Sequence, residues 1–188
     1  MNRTYRAASI AVLLGLATLL LIPACAAAQA GTGSLELYAG EYFPDQALDN
    51  SLTYGVRGAY HWTDSLASEV TVGRLSPSLD FAPGAGIDVH ITLVDLSTAW
   101  TFNPGHRAEV SLFAGPGWSF FDANAHVGNV TVDSASDDSF TLHAGVGLRI
   151  HLSDRVYLRP DVRARWFEKA DNSVDYEASL GLGFRLGG

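Results

Sequence analysis

Lysine and cysteine are almost missing from this 188-residue chain: Lys169 is its one lysine and Cys25 its one cysteine. Water-soluble proteins coat themselves largely with lysine and glutamate, so the shortage of lysine suggests an outer surface that does not face water. Beyond Cys25 there is no thiol, which excludes disulfides and cysteine-based metal centres. A small secreted domain without disulfides needs another source of stability, and closing a barrel in a membrane is one. Basic residues are also scarce, 12 Lys and Arg against 20 Asp and Glu, for a formal net charge of -8. That balance excludes nucleic acid as a partner, which would require a basic footprint. After residue 30 no apolar run approaches the roughly 18 residues of a membrane-crossing helix, so any membrane crossing must be made by strands.

Nucleotide and metal signatures are missing as well. Gly145-Val146-Gly147 and Gly181-Leu182-Gly183 read as alternating strand glycines rather than a phosphate-cradling loop. The histidines at 61, 90, 106, 126, 143 and 151 are scattered and form no His-x-x-x-His pair. No cofactor and no metal centre are expected.

The first 30 residues form a distinct unit. Arg3 and Arg6 precede an almost unbroken apolar stretch over residues 10–22, and Ala28-Gln29-Ala30 places small residues where signal peptidase reads. This is the pattern of a secretory signal peptide cleaved after Ala30. The run Leu21-Ile22-Pro23-Ala24-Cys25 faintly resembles a lipoprotein cleavage box, but the alanine site fits better. The expected organisation is a signal peptide over 1–30 and one domain over 31–188.

From there the chain alternates apolar and polar residues with period two, interrupted by turn residues, as half-buried strands do. The last segment is clearest. Val174, Tyr176, Ala178, Leu180, Leu182, Phe184 and Leu186 occupy one face, and Asp175, Glu177, Ser179, Gly181, Gly183 and Arg185 the other. Segments ending at Trp62, Phe120, Leu152 and Trp166 repeat the pattern. Three weaker ones run over 35–40, 66–73 and 94–102. In the last of these Ile91 and Leu93 fall on the polar side, which suggests a bulge near its start and makes eight segments in all. Turns at 63–65, 103–107 and 153–155 are short. The connections 44–50, 76–86, 122–138 and 168–172 read as mostly longer loops. Short turns alternating with long loops mark an up-and-down outer-membrane barrel.

Alternation alone does not say which face is outside, because a soluble lipocalin-like barrel turns its apolar face inward around a ligand. Two features favour apolar-out. The polar face combines glycines with arginines and carboxylates, a fit filling for a narrow lumen. All four tryptophans lie on the apolar face near strand ends. Trp62 and Trp100 adjoin short turns, and Trp118 and Trp166 adjoin long loops, as two interfacial aromatic girdles would. Pro116 and Pro160 remove ladder donors in either model.

With these features, residues 33–186 resemble the small eight-stranded outer-membrane β-barrels of the OmpA transmembrane-domain and opacity-protein type. The final strand, Tyr176 to Phe184, resembles that family's assembly signal, although Arg185-Leu186-Gly187-Gly188 follow where members usually end on an aromatic residue. The resemblance implies an all-β, eight-stranded antiparallel up-and-down transmembrane barrel, preceded by a cleaved signal peptide and located in the cell outer membrane. Its N-terminus and short turns would face the periplasm. The implied partners are outer-membrane lipid, lipopolysaccharide and the assembly machinery, and a monomer is expected.

The residues expected in the lumen are Arg57, Glu69, Arg149, Arg159, Asp161, Arg163, Arg165 and Glu177. A three-residue turn at 153–155 would set Arg149 across from Arg159 and diagonal to Asp161, and Glu177 would lie near Arg163 and Arg165. Such charges must pair, because burying them alone is costly. A hydrogen-bonded plug is the expectation and a polar conducting path the alternative, since eight strands enclose little more than side chains. His151-Leu152-Ser153 is the one enzyme-like candidate, because outer-membrane lipid A deacylases carry a His-x-Ser pair. Here His151 should face the lumen and Ser153 a short turn, which opposes catalysis. Asp45, Asp49, Asp80, Asp88, Asp122, Asp133, Asp137, Asp138, Glu168, Asp171 and Asp175 make the long connections acidic. Weak divalent-cation binding would suit them, and solvated loops would need the same charge. A structural or surface-interaction role without catalysis is expected. The alternatives are a narrow-pore channel, a lipid A-modifying enzyme and a soluble periplasmic ligand-binding barrel.

Overall fold

The computed structural model describes residues 31–45, 49–82, 85–102, 104–127, 130–168 and 174–186. The expected signal peptide, its cleavage site, Cys25 and Lys169 lie outside the described residues.

Nine strands are found among them: β1 (Thr32–Phe43), β2 (Ser51–His61), β3 (Leu66–Leu75), β4 (Ser78–Ala82), β5 (Ala85–Phe102), β6 (Ala108–Val127), β7 (Val130–His151), β8 (Val156–Phe167) and β9 (Val174–Leu186). They pair antiparallel in the order β3-β2-β1-β9-β8-β7-β6-β5, and β3 pairs with β5 to close the ring. Both β3 and β4 lie along β5, so together they fill one position. The break between them falls at Ser76 and Pro77, where proline has no N–H to give a ladder. The result is an eight-position up-and-down barrel.

The ladder also fixes the barrel's stagger. Partners followed from Gly33 run through Tyr60, Ser68, Thr98, Ala114, Ala144, Ala164 and Tyr176. They return to β1 at Phe43, ten residues farther along. Closure with that stagger tilts the strands by about 40°. A tilted strand then gains roughly 2.5 Å of height per residue.

Side chains alternate across the wall as the sequence pattern requires. Leu37, Leu52 and Leu180 are 59%, 66% and 55% exposed, whereas Arg57 and Arg163 are 2% and 1% exposed. The greasy face points out and the charged face in, the reverse of a soluble barrel. Trp62, Trp100, Trp118 and Trp166 are all exposed on this outer wall. The first two stand at the short-turn end and the last two at the other, roughly 20 Å higher by the rise above. Tyr60 meets Trp62 edge-on, and Trp118 meets Phe140 in the same way.

Three expectations are corrected. The stretch 122–138 is not a loop: β6 and β7 stay paired from Ala108↔Ile150 out to Val127↔Val130. The stretch 76–86 likewise contains β4, paired to β5. With β5 matching β6 out to Ala85↔Val127, four strands continue past Trp118 as a sheet. Backbone pairing carries these ladders through stretches whose sequence is rich in turn-forming residues. Second, no bulge re-aims Ile91 and Leu93. The β3–β5 register is unbroken from Leu66↔Trp100 to Leu75↔Ile91, and both residues face the interior, 4% and 1% exposed. They are buried because the lumen itself turns apolar at this end. Third, Leu66 shares the strand phase of Val70 and Val72, which the alternation sends outward, yet it is buried at the start of β3. Its carbonyl accepts the N–H groups of Trp62 and Thr63, which fold the turn 62–65 against it.

Candidate functional site

The interior is the place where this sequence concentrates chemistry, and it is layered. At the short-turn end Glu109 is central. Its Oε1 accepts the Gly105 N–H at 2.7 Å, and its Oε2 lies 3.2 Å from His151 Nε2 and 3.7 Å from an Arg149 Nη. Arg185 approaches to 3.8 Å. A cavity of about 80 Å³ opens beside this group, lined by His61, Asp64, Arg149 and Arg185 among others.

The next layer is made by β1, β2, β3 and β8. Arg57 donates to Glu36 and to Asp161, the latter at 3.0 Å. Arg159 donates to both carboxylate oxygens of Glu69, at 2.7 and 3.2 Å. Aromatic rings support these cations. Arg57 stands 5.0 Å from the centre of the Tyr38 ring, and Arg159 and Arg163 each stand 5.1 Å from that of Phe113, within cation–π range.

Above it, Asp95 accepts from Arg163 at 2.5 Å and from Arg165 at 2.6 and 2.8 Å. Ser97 Oγ lies 2.7 Å from His143 Nε2, and His143 Nδ1 lies 3.6 Å from Asp95 Oδ1. Serine, histidine and aspartate in that order have the outline of a hydrolytic triad. The 3.6 Å step is too long for a hydrogen bond, Asp95 is already engaged by two arginines, and all three residues are buried. No substrate carbonyl could approach Ser97, so the group serves as polar filling.

The last layer is apolar. Tyr42, Leu75, Ile91 and Leu93 form a buried cluster, with Val89, Phe121 and Phe167 packed against it. The Tyr42 hydroxyl donates to Asp175 at 2.6 Å, and Asp175 accepts the Asp45 N–H at 3.0 Å. Grease and one hydroxyl close the lumen at the end from which the sheet projects.

All eight expected lumen residues lie inside and are buried. The register on either side, Gly147↔Asp161 and Ile150↔Leu158, sets Arg149 opposite Arg159. Arg163 faces Glu177 across β8–β9, while Arg165 faces Asp175. The expected list omitted Glu36, Asp95 and Glu109, which carry half of the buried carboxylates. Each occupies an inward slot in its alternating segment, so strand phase was the signal that could have found it. Six carboxylates (Glu36, Glu69, Asp95, Glu109, Asp161, Glu177) meet five buried arginines (Arg57, Arg149, Arg159, Arg163, Arg165), with Arg185 at the mouth. Near-balance of this kind offsets part of the penalty of burying ions.

Ser153 Oγ accepts the N–H groups of Arg155 and Val156, at 3.4 and 3.1 Å. Its hydroxyl closes its own turn, while His151 engages Glu109. Among the described residues no three His, Cys, Asp or Glu side chains are grouped to hold a metal ion.

A family model for the outer membrane protein beta-barrel domain matches residues 12–185. Among solved structures, Neisserial surface protein A is similar at 15% identity with a TM-score of 0.63, covering 82% of this chain and 98% of that one. The N-terminal barrel domain of OprF from Pseudomonas aeruginosa matches at 16% identity and TM-score 0.60, covering 84% of this chain and 98% of that one. Ail, the attachment invasion locus protein of Yersinia pestis, gives the same identity and TM-score over 84% of this chain and all of that one. No curated protein matches in sequence.

Proposed function

Because the chain belongs to the outer membrane protein β-barrel domain family and is an outer-membrane protein, we propose that it acts there as a closed barrel holding a β-sheet at the cell surface. Its role in this reading is structural or surface-interacting, without catalysis. The observation that carries it is the contrast between the two ends of β5, β6 and β7. Within the membrane band they wall a lumen filled by ion pairs and sealed by Tyr42, Leu75, Ile91 and Leu93. Beyond Trp118 the same strands continue, paired, to Val127 and Val130. A solid interior gives a rigid mount, and a paired extension gives a preformed surface.

In this reading the short turns face the periplasm and the sheet faces outward. The monomer inserts with the help of the assembly machinery and is surrounded by lipid and lipopolysaccharide. Protease treatment of intact cells tests the orientation: cleavage within 122–138 supports it, and cleavage confined to lysed cells overturns it. Planar-bilayer recording tests the closed lumen, with no steady conductance expected.

A narrow-pore channel is the second reading. It is favoured by interior polar atoms without a hydrogen-bond partner, among them Arg163 Nε and Nη2, Thr53 Oγ1 and Ser179 Oγ, which water could line. Reproducible single-channel steps would select it.

A further inference from the structure

On a wall that faces lipid, outward slots should be apolar, and Arg74 breaks that rule. It lies on β3 between Gly73 and Leu75, both buried, and points outward, exposed. Other arginines among the described residues are in the lumen, at its mouth or in short turns. Arg74 is the one placed on the outer wall, and no ion pair joins it to a described acidic side chain.

Its neighbours are polar too. Across the β3–β5 seam Arg74 faces Thr92. Two residues farther up, Ser76 Oγ lies 2.9 Å from His90 Nδ1. Arg74 faces Tyr54 on the other side, and Phe120 faces Thr92. The height is set by the ladder. Trp118 pairs with Val94, two residues below Thr92. Because the ladder climbs when followed from β3 to β6, Arg74 stands level with Trp118, at the outer girdle. Lipid phosphates lie at that depth, and a cation is tolerated there but not at the midplane.

We propose that Arg74, Ser76, His90 and Thr92 form a binding site on the outer wall for the phosphate group of an outer-leaflet lipid. Arg74 supplies the charge and a forked donor suited to phosphate. The Thr92 hydroxyl supplies a further donor, and the hydrogen-bonded Ser76–His90 pair supplies one more, from whichever partner keeps its proton free. Tyr54 and Phe120 give the lipid's apolar part a flat flank on either side. Asp122, opposite His90, bounds the patch above and keeps the phosphate near Arg74. The site rests on the orientation argued above, because an inverted barrel would offer it to the periplasmic leaflet.

The test uses the full barrel in detergent, with bound lipid counted by native mass spectrometry. The probes are bis-phosphorylated lipid A, the same lipid dephosphorylated, phosphatidylglycerol, and inorganic phosphate. The wild type should retain one phosphorylated lipid A. Arg74→Gln should bind it roughly ten-fold more weakly, as loss of one charge-assisted contact implies. Arg74→Lys should recover part of the loss, and Ser76→Ala with His90→Ala should weaken binding further. Equal retention by wild type and Arg74→Gln, or equal retention of the dephosphorylated lipid, overturns the proposal. Binding of inorganic phosphate without lipid A would reassign the site to a free anion. Preference for phosphatidylglycerol would overturn the outer-leaflet assignment, and the protease experiment on cells then tells whether the orientation or the site was at fault. Heat-modifiable migration on gels checks that each variant is folded.

Discussion

Arg159 and Glu69 meet in the middle of the barrel through two parallel hydrogen bonds, from strands on opposite sides of the lumen. Both are buried, so each is the other's substitute for water. Removing one partner strands a charge, which costs about 3–5 kcal/mol. Glu69→Ala should therefore lower the unfolding free energy of the lipid-reconstituted barrel, read from its urea midpoint and slope, by that amount. The double variant Glu69→Leu with Arg159→Met, which removes both charges, should recover most of the loss. A single variant as stable as wild type would refute the assignment of this pair.

The apolar layer answers to a different cost. Leu93 packs with Tyr42, Leu75 and Ile91 above the ion-paired layers. Leu93→Ala should destabilise by about 2–5 kcal/mol, the usual range for a cavity in a packed core. Combined with Leu75→Ala it should also thin the seal. Conductance in planar bilayers is expected to stay absent in the single variant and to appear as brief openings in the double one. A double variant that remains silent would place the barrier in the ion-paired layers instead.

Two glycines should behave in opposite ways. A Cβ added at Gly115 would sit 1.9 Å from the Leu96 carbonyl oxygen, on neighbouring backbone that cannot rotate away. Gly115→Ala should cost about 3 kcal/mol or more, the upper end of overpacking, and slow the heat-modifiable shift that reports folding. Gly58 has nothing within 4 Å of such a Cβ and faces outward. Gly58→Ala should leave stability unchanged or raise it by about 0.5–1 kcal/mol.

Strand phase made most of this structure legible in advance. Leu180 and Arg163 could be sent to opposite faces because the side-chain period is two and one face is wholly apolar. The same logic failed where a local rule was replaced by a long-range one. Ile91 and Leu93 looked like a bulge because an apolar residue in an inward slot contradicts a polar lumen. What resolves it is the distant Tyr42 and Leu75, brought alongside by ring closure. The 122–138 ladder was missed because Ser134, Ser136, Asp137 and Asp138 carry turn-like composition. Pairing with β6 is what makes them a strand. In the lumen, Asp95 was passed over because its partners, Arg163 and Arg165, lie some seventy residues away. Only the closed ring brings them into contact.

The girdles provide the decisive test of how the barrel sits. Trp62 and Trp100 border one end of the wall and Trp118 and Trp166 the other, all exposed, with roughly 20 Å between the levels. Indoles favour the headgroup region of a bilayer, so both pairs should be shallow, in opposite leaflets. Variants keeping one tryptophan each, the other three changed to Phe, can be placed in vesicles with quenchers at known acyl positions. Each indole should be quenched best by the shallowest label. A water-soluble quencher added outside should reach only one pair of the two. The indole of Trp118 adds a control, since its N–H donates to Asp138 at 2.9 Å and Asp138→Ala should loosen it and broaden its depth profile. If either pair were quenched most strongly by labels near the chain ends, that girdle would lie at the midplane. The wall would then be displaced by half a bilayer, and Arg74 would no longer lie at the level of lipid phosphates.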